Sequence, residues 1–212
     1  MPIPISELQS PNPSPIIELY ELTLNPVLHG TASIQDPDGN NLTTLRFHNN
    51  TNEKSTYGHL KFGNVTYYRL PIDASGFEYN PKQLPRPTLT ISNLIMIAQN
   101  IGNMSAVLNA VNTIENNDPT TGTFANDLVG ATFVRRRTLK KFLDSSNFTA
   151  TNPTADSTQE YAQQIFEVAR LSMESRNVVQ FELAASVDSL NKKLPARMFL
   201  PDEFIGIGGF YN

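Results

Sequence analysis

Between Ile16 and Leu24 apolar and polar side chains alternate, with Tyr20, Leu22 and Leu24 on one face and Glu21 and Thr23 on the other. A period of two is what a half-buried strand requires, because successive side chains point to opposite faces of a sheet. Strands are predicted on the same grounds for Leu42 to Phe47, for Gly58 to Leu70 with its aromatic pair Tyr67 and Tyr68, for Thr88 to Ile91 and for Val178 to Leu183. Ala131 to Val134 is β-like and leads into a run of basic residues. Tyr161 to Leu171 fits a short helix and a strand equally, and its periodicity does not choose.

Only one stretch has sustained helical spacing. Leu94, Ile97, Ile101, Met104, Leu108 and Val111 recur at steps of three and four after a Ser92–Asn93 N-cap, which predicts a helical insertion over about 93–126. Gly102 and several asparagines weaken it, so packing rather than propensity must hold it. Five prolines in residues 1–15 lock φ and remove donors, which predicts an extended N-terminal arm. Residues 201–212 read as a Gly-rich, aromatic C-terminal tail. The fold class is therefore mainly β (α+β): a β-barrel or sandwich domain over 16–200, with one inserted helix and extended terminal arms.

Composition narrows the function. The chain is 39% hydrophobic, enough for a buried core, and carries a formal net charge of -4, which gives no global attraction to nucleic acid or anionic membrane. There is no cysteine, hence no disulfide, thiol nucleophile, zinc-thiolate site or Cys-ligated iron-sulfur cluster. No apolar stretch reaches the ~20 residues of a membrane span, and no signal peptide is recognised, so synthesis in the cytoplasm is expected.

The densest charge cluster is Arg135, Arg136, Arg137, Lys140 and Lys141, five of the sixteen basic residues within seven positions. In an extended chain Arg135 and Arg137 share a face with Phe133, while Arg136 faces the other way with Val134. That is no single-faced basic stripe, so pairing with carboxylates inside the fold or across a subunit interface is favoured over nucleic-acid binding. His29, His48 and His59 show no metal-ligand spacing. Asp36 to Asn41 has the Asp-x-Asp-Gly look of a calcium loop without its later ligands. Asp144, Asp156 and Glu160 are candidate carboxylates, yet no catalytic motif passes its context test, and the expectation is a protein that is not an enzyme.

An ordered series of motifs carries a resemblance. Ser75-Gly76-Phe77-Glu78 is followed by Arg86-Pro87-Thr88 and Ser92-Asn93-Leu94, then Asp127-Leu128-Val129-Gly130-Ala131, the arginine run, and Phe142-Leu143-Asp144. Asn147-Phe148, Asn152-Pro153-Thr154-Ala155-Asp156, Gln159-Glu160, Phe181-Glu182-Leu183-Ala184 and Leu194-Pro195-Ala196-Arg197 continue it. Over about 16–200 this resembles the phage minor tail protein L family. The resemblance implies a β-rich structural subunit of a tail-tip baseplate hub, a ring joining the end of the tail tube to the central host-specificity protein. A homotrimer is implied, with a hexamer as the alternative, located in the virion and made in the bacterial host cytoplasm. Genomic DNA would pass through the channel, giving the Arg and Lys cluster a lumen or a subunit interface to face. Family members commonly carry a Cys-rich C-terminal segment that holds an iron-sulfur cluster; with no cysteine here, no cofactor is expected. A distal-tail-type adaptor ring and a carbohydrate-binding tail module are the alternatives.

Overall fold

The computed structural model describes residues 3–4, 7, 9–29, 43–52, 54, 58–78, 84–93 and 128–185. Among these residues nine strands are present: β1 (Ile16–Thr23), β2 (Thr44–His48), β3 (Leu60–Phe62), β4 (Val65–Arg69), β5 (Ile72–Ser75), β6 (Thr88–Ser92), β7 (Thr132–Leu139), β8 (Gln164–Glu174) and β9 (Val178–Ala184). They form one mixed sheet in the order β3-β4-β2-β1-β7-β8-β9-β6-β5. Every neighbouring pair is antiparallel except β2 with β4.

Chain connectivity forces this sheet to curl. Seven inter-strand steps separate β4 from β5, roughly 34 Å in a flat sheet at about 4.8 Å per step. Yet only Leu70 and Pro71 join the two strands, a reach of at most about 11 Å. Leu70 donates its N–H to the His48 carbonyl (3.0 Å), and the Pro71 carbonyl accepts from Ser92 N–H (2.9 Å). The ends are thus bridged by a crossing chain. The barrel or sandwich expected from the sequence does not form: the sheet is open, and among the described residues no ladder pairs β3 or β4 with β5. Pro71 has no N–H to give to such a ladder.

One face of the curled sheet holds the main core, built around Leu22, Phe47, Leu89, Phe133 and Phe181, all fully buried. The opposite face near β1 carries a second cluster of Ile17, Leu19, Leu60, Phe62, Tyr67 and Leu143. β1 is therefore covered on both sides, which is why Leu19 and Leu22, on opposite faces, are equally inaccessible.

Three local expectations change. Gly58 to Leu70 is not one strand but a hairpin, with Gly63 and Asn64 at φ 62° and 63°. Two consecutive positive φ values are what a two-residue type I′ turn demands. The ambiguous stretch from Tyr161 is resolved as β8, and the strand at Ala131 to Val134 extends through all three arginines as β7. Among the described residues the helical elements with given bounds are the short turns Pro26–His29, Lys140–Phe142 and Ser145–Asn147, and Glu7 is also helical. The expected helix lies outside the described residues beyond Asn93, as do the 36–41 turn and the 201–212 tail.

The proline-rich segment lies on its own chain. Ile3 is buried with Leu139 and Phe142. Glu7 pairs with Lys141, and the Pro15 carbonyl accepts from Lys140 N–H at 2.9 Å.

Candidate functional site

The arginine run lies in the middle of the sheet because β7 pairs with β1 on one side and β8 on the other. Its register sets Arg135 opposite Tyr20, Arg136 opposite Leu19 and Arg137 opposite Glu18. The alternation of faces is that expected of an extended chain.

On the main-core face Arg135 pairs with Glu18 and gives Nη1 to Gln164 at 3.0 Å. Its guanidinium lies 4.5 Å from the Phe77 ring centre. Phe77 in turn stacks on Phe133 (6.3 Å) and meets Phe166 edge-on (5.5 Å), so the cation caps an aromatic column. Glu18 also accepts from the Tyr20 hydroxyl at 2.6 Å. Burial, followed by that bond and the Glu18 charge, pushes the Tyr20 phenol above its ordinary range.

On the opposite face Arg136 is held by two carboxylates, with Nε on Glu160 (2.9 Å) and Nη1 on Glu21 (3.3 Å). The same Nη1 reaches the Tyr67 oxygen at 3.3 Å, and Tyr67 donates its own proton to Glu21. Arg46 adds a weaker contact to Glu21 at 3.9 Å. Burial works against the Arg136 cation, but its bond to Glu160 and the nearby Tyr67, Glu160 and Glu21 outweigh it and hold the pKa above the usual value. The cluster is neutral in sum, two guanidinium groups against two carboxylates, as a half-buried network requires.

Arg137 differs. It lies 5.2 Å from the centre of the Tyr161 ring, and its Nε is buried without a hydrogen-bond partner. Lys141 pairs with Glu7 and sits over Phe142. Lys140 is exposed and borders a cavity of about 410 Å³ with Ile17, Lys54, Leu60 and Phe148.

The other residues carrying the resemblance are structural supports. Asp144 accepts from Gly63 N–H (2.9 Å) and Asn64 N–H (2.7 Å), gripping the β3–β4 turn. Asn152, before the exposed Pro153, gives Nδ2 to the carbonyls of Lys141 and Leu143, both at 2.8 Å. Asp156 accepts from the Thr158 hydroxyl (2.7 Å) and N–H (2.9 Å) and from Gln159 (3.2 Å), and the Thr158 bonds hold its carboxyl below the usual value. Arg86 reaches Glu182 at 3.5 Å, Thr88 lies opposite Glu182, and the Pro87 carbonyl accepts from Leu183 N–H at 2.8 Å. Asn93 gives Nδ2 to the Ser175 carbonyl (2.8 Å), closing the end of β6. Pro195 and Arg197 lie outside the described residues.

Asp144, Asp156 and Glu160 therefore each serve a bond network of their own, on the β3–β4 turn, on Thr158 and Gln159, and on Arg136 respectively. Among the described residues no three His, Asp or Glu side chains are grouped as a metal site. His48 and His59, which the sequence leaves unconnected, come close enough for the His59 charge to help lower the His48 pKa. The sequence reading missed Glu18, Glu21 and Tyr67 as partners of the arginine run. Glu18 and Glu21 differ in parity along β1, which puts one carboxylate on each face, and that was the available signal.

The sequence model of the phage minor tail protein L family matches residues 39–204. The chain is similar to "Tail tip protein L" of Escherichia phage lambda, with 32% identity over 136 residues. That match covers 63% of this chain and 49% of the lambda protein, so it spans about half the length of that curated relative.

Proposed function

Because this chain belongs to the phage minor tail protein L family, its role is a structural one in a phage tail, and we propose that it is a subunit of a tail-tip hub ring. In this reading the ring joins the end of the tail tube to the central host-specificity protein, and three copies close it, six being the alternative. The likeness to a tail tip protein carries the proposal. The bonding of the charged residues supports it. Arg135, Arg136, Glu18, Glu21 and Glu160 are committed to one another across β1, β7 and the segment before β8, the arrangement of a building block rather than of a reaction centre.

We carry no iron-sulfur cluster into this reading, because a sequence without cysteine offers no thiolate ligand. Production in the host cytoplasm before incorporation into the tail belongs to the same proposal.

A cryo-EM reconstruction of intact tails tests it. Three copies of the nine-stranded sheet around the axis at the tip are expected. Density for the chain along the tube wall or at the head end would overturn the hub reading. A ring on the tube side alone would favour the distal-tail-type adaptor, and glycan binding by the free monomer would favour the carbohydrate-binding module.

A further inference from the structure

Two of the three arginines of β7 have their terminal nitrogens taken up inside the chain. Arg135 uses Nη1 and Nη2 on Gln164 and Glu18, and Arg136 uses Nε and Nη1 on Glu160, Glu21 and Tyr67. Arg137 makes no ion pair or hydrogen bond from its side chain among the described residues; it lies against Tyr161, 5.2 Å from the ring centre.

The carboxylates nearest by register are already engaged. Glu18, directly across the ladder, is held by Arg135 and Tyr20, and Glu160, next to Tyr161, is held by Arg136 and Gln163. An exposed arginine without a carboxylate is ordinary, because water serves it. Arg137 is half-buried, and an aromatic stack restricts its planar fork, so the entropy lost on forming two parallel bonds is already partly spent. On the same face, across the ladder from Leu139, Ile16 is 52% exposed and supplies an apolar rim.

We propose that Arg137, positioned by Tyr161, is the point at which this chain receives a carboxylate side chain of a neighbouring tail subunit. Nη1 and Nη2 donate the two bonds and Ile16 is covered by the same contact. The inference rests on the reading of the chain as a ring subunit. A protein carboxylate fits better than a nucleic-acid phosphate. Duplex tracking needs several uncompensated cations on one face, whereas Arg135 on this face is neutralised by Glu18 and Lys141 is paired with Glu7.

The test uses the full chain and whole tails. R137A should leave the melting temperature of the isolated chain unchanged while weakening subunit association by about 30-fold or more at each contact, as truncating one member of a shielded interfacial charge pair does. R137K keeps the charge, loses the fork and should recover part of that association. Melting that falls in step with assembly would make Arg137 an internal support and overturn the proposal. Tails that assemble at parental yield but fail in DNA passage would assign the residue to phosphate and overturn it equally. A map of parental tails separates this inference from the hub reading. A carboxylate of another chain against Arg137 supports the contact wherever in the tail the chain sits. Solvent or a group of its own chain there overturns the contact even within a tip ring.

Discussion

Asn147 gives Lys61, with one side chain, the pair of backbone bonds that a further strand would supply. Its Oδ1 accepts from Lys61 N–H at 2.8 Å and its Nδ2 donates to the Lys61 carbonyl at 2.6 Å. Lys61 lies on β3, the edge of the sheet, where free backbone groups invite pairing with another chain. The loop carrying Asn147 blunts that edge, and Asp144 of the same loop holds the adjoining turn. Asn147→Ala should therefore destabilise the chain by about 1 to 2 kcal/mol, the cost of losing two part-buried bonds to the Lys61 backbone. Asp144→Ala should cost about 1 to 2 kcal/mol by loss of two charge-assisted bonds at a more exposed position. Urea unfolding monitored by circular dichroism checks both. Parental midpoints in both variants would remove the clasp as a source of stability.

The Glu21–Arg136 pair is a network member rather than a surface ornament. Both side chains are about one-fifth exposed, at 18% and 21%. Glu21→Ala leaves Arg136 with Glu160 alone and the Tyr67 hydroxyl without its acceptor, and should cost about 2 kcal/mol. The double variant with Arg136→Ala should cost less than the sum of the single losses, by about 1 kcal/mol or more. Additive losses in a double-mutant cycle would show that the two residues act independently.

Acid should weaken the fold in a defined window. His48 is fully buried and accepts the Asn50 N–H on Nδ1 at 3.1 Å. Burial, followed by the His59 charge, pulls its pKa from 6.5 to about 4. The unfolded chain therefore takes up this proton first, and stability falls as pH drops from about 6.5 towards 4, levelling below that. The total is on the order of 3 kcal/mol for this one group. His29, lowered chiefly by burial, acts in the same direction. His48→Phe should flatten the slope of stability between pH 6.5 and 4. A slope equal to the parental one would place the acid sensitivity elsewhere.

Removal of residues 1–14 should cost stability without abolishing the fold. It takes away Ile3, buried to 6% exposure against Leu139 and Phe142, together with the Glu7–Lys141 pair. Burial of one isoleucine is worth about 2 kcal/mol, and every sheet strand lies outside the deletion. Cooperative melting at a lower temperature is expected. A chain that no longer melts cooperatively would show that the segment belongs to the core.

Legibility in the sequence followed the regularity of each element. β1, β2, β6 and β9 alternate cleanly, and their strand character was readable. β8 was not, because register shifts between Val168 and Arg170 and between Leu171 and Met173 interrupt its period of two. The β3–β4 turn was hidden inside a run rich in strand-forming residues, where Gly63–Asn64 is the only break. The opposite facing of Arg135 and Arg136 was readable from parity. Their partners Glu18 and Glu21 were not identified, since they lie 117 and 115 positions away and pairing at that distance depends on which strands become neighbours.

The sequence by itself thus determined the β class, the faces of the strands, the absence of thiol chemistry and, through the ordered motifs from Phe77 to Glu182, the family. Tertiary structure alone decided that the sheet stays open, that β1 is covered on both faces, and that Arg135 and Arg136 are neutralised while Arg137 has no carboxylate partner among the described residues. The division has one physical cause. Side-chain parity and residue chemistry are local and travel with the chain. Strand order, edge coverage and charge compensation are set by contacts between segments a hundred residues apart, and those are chosen only when the whole sheet curls around its core.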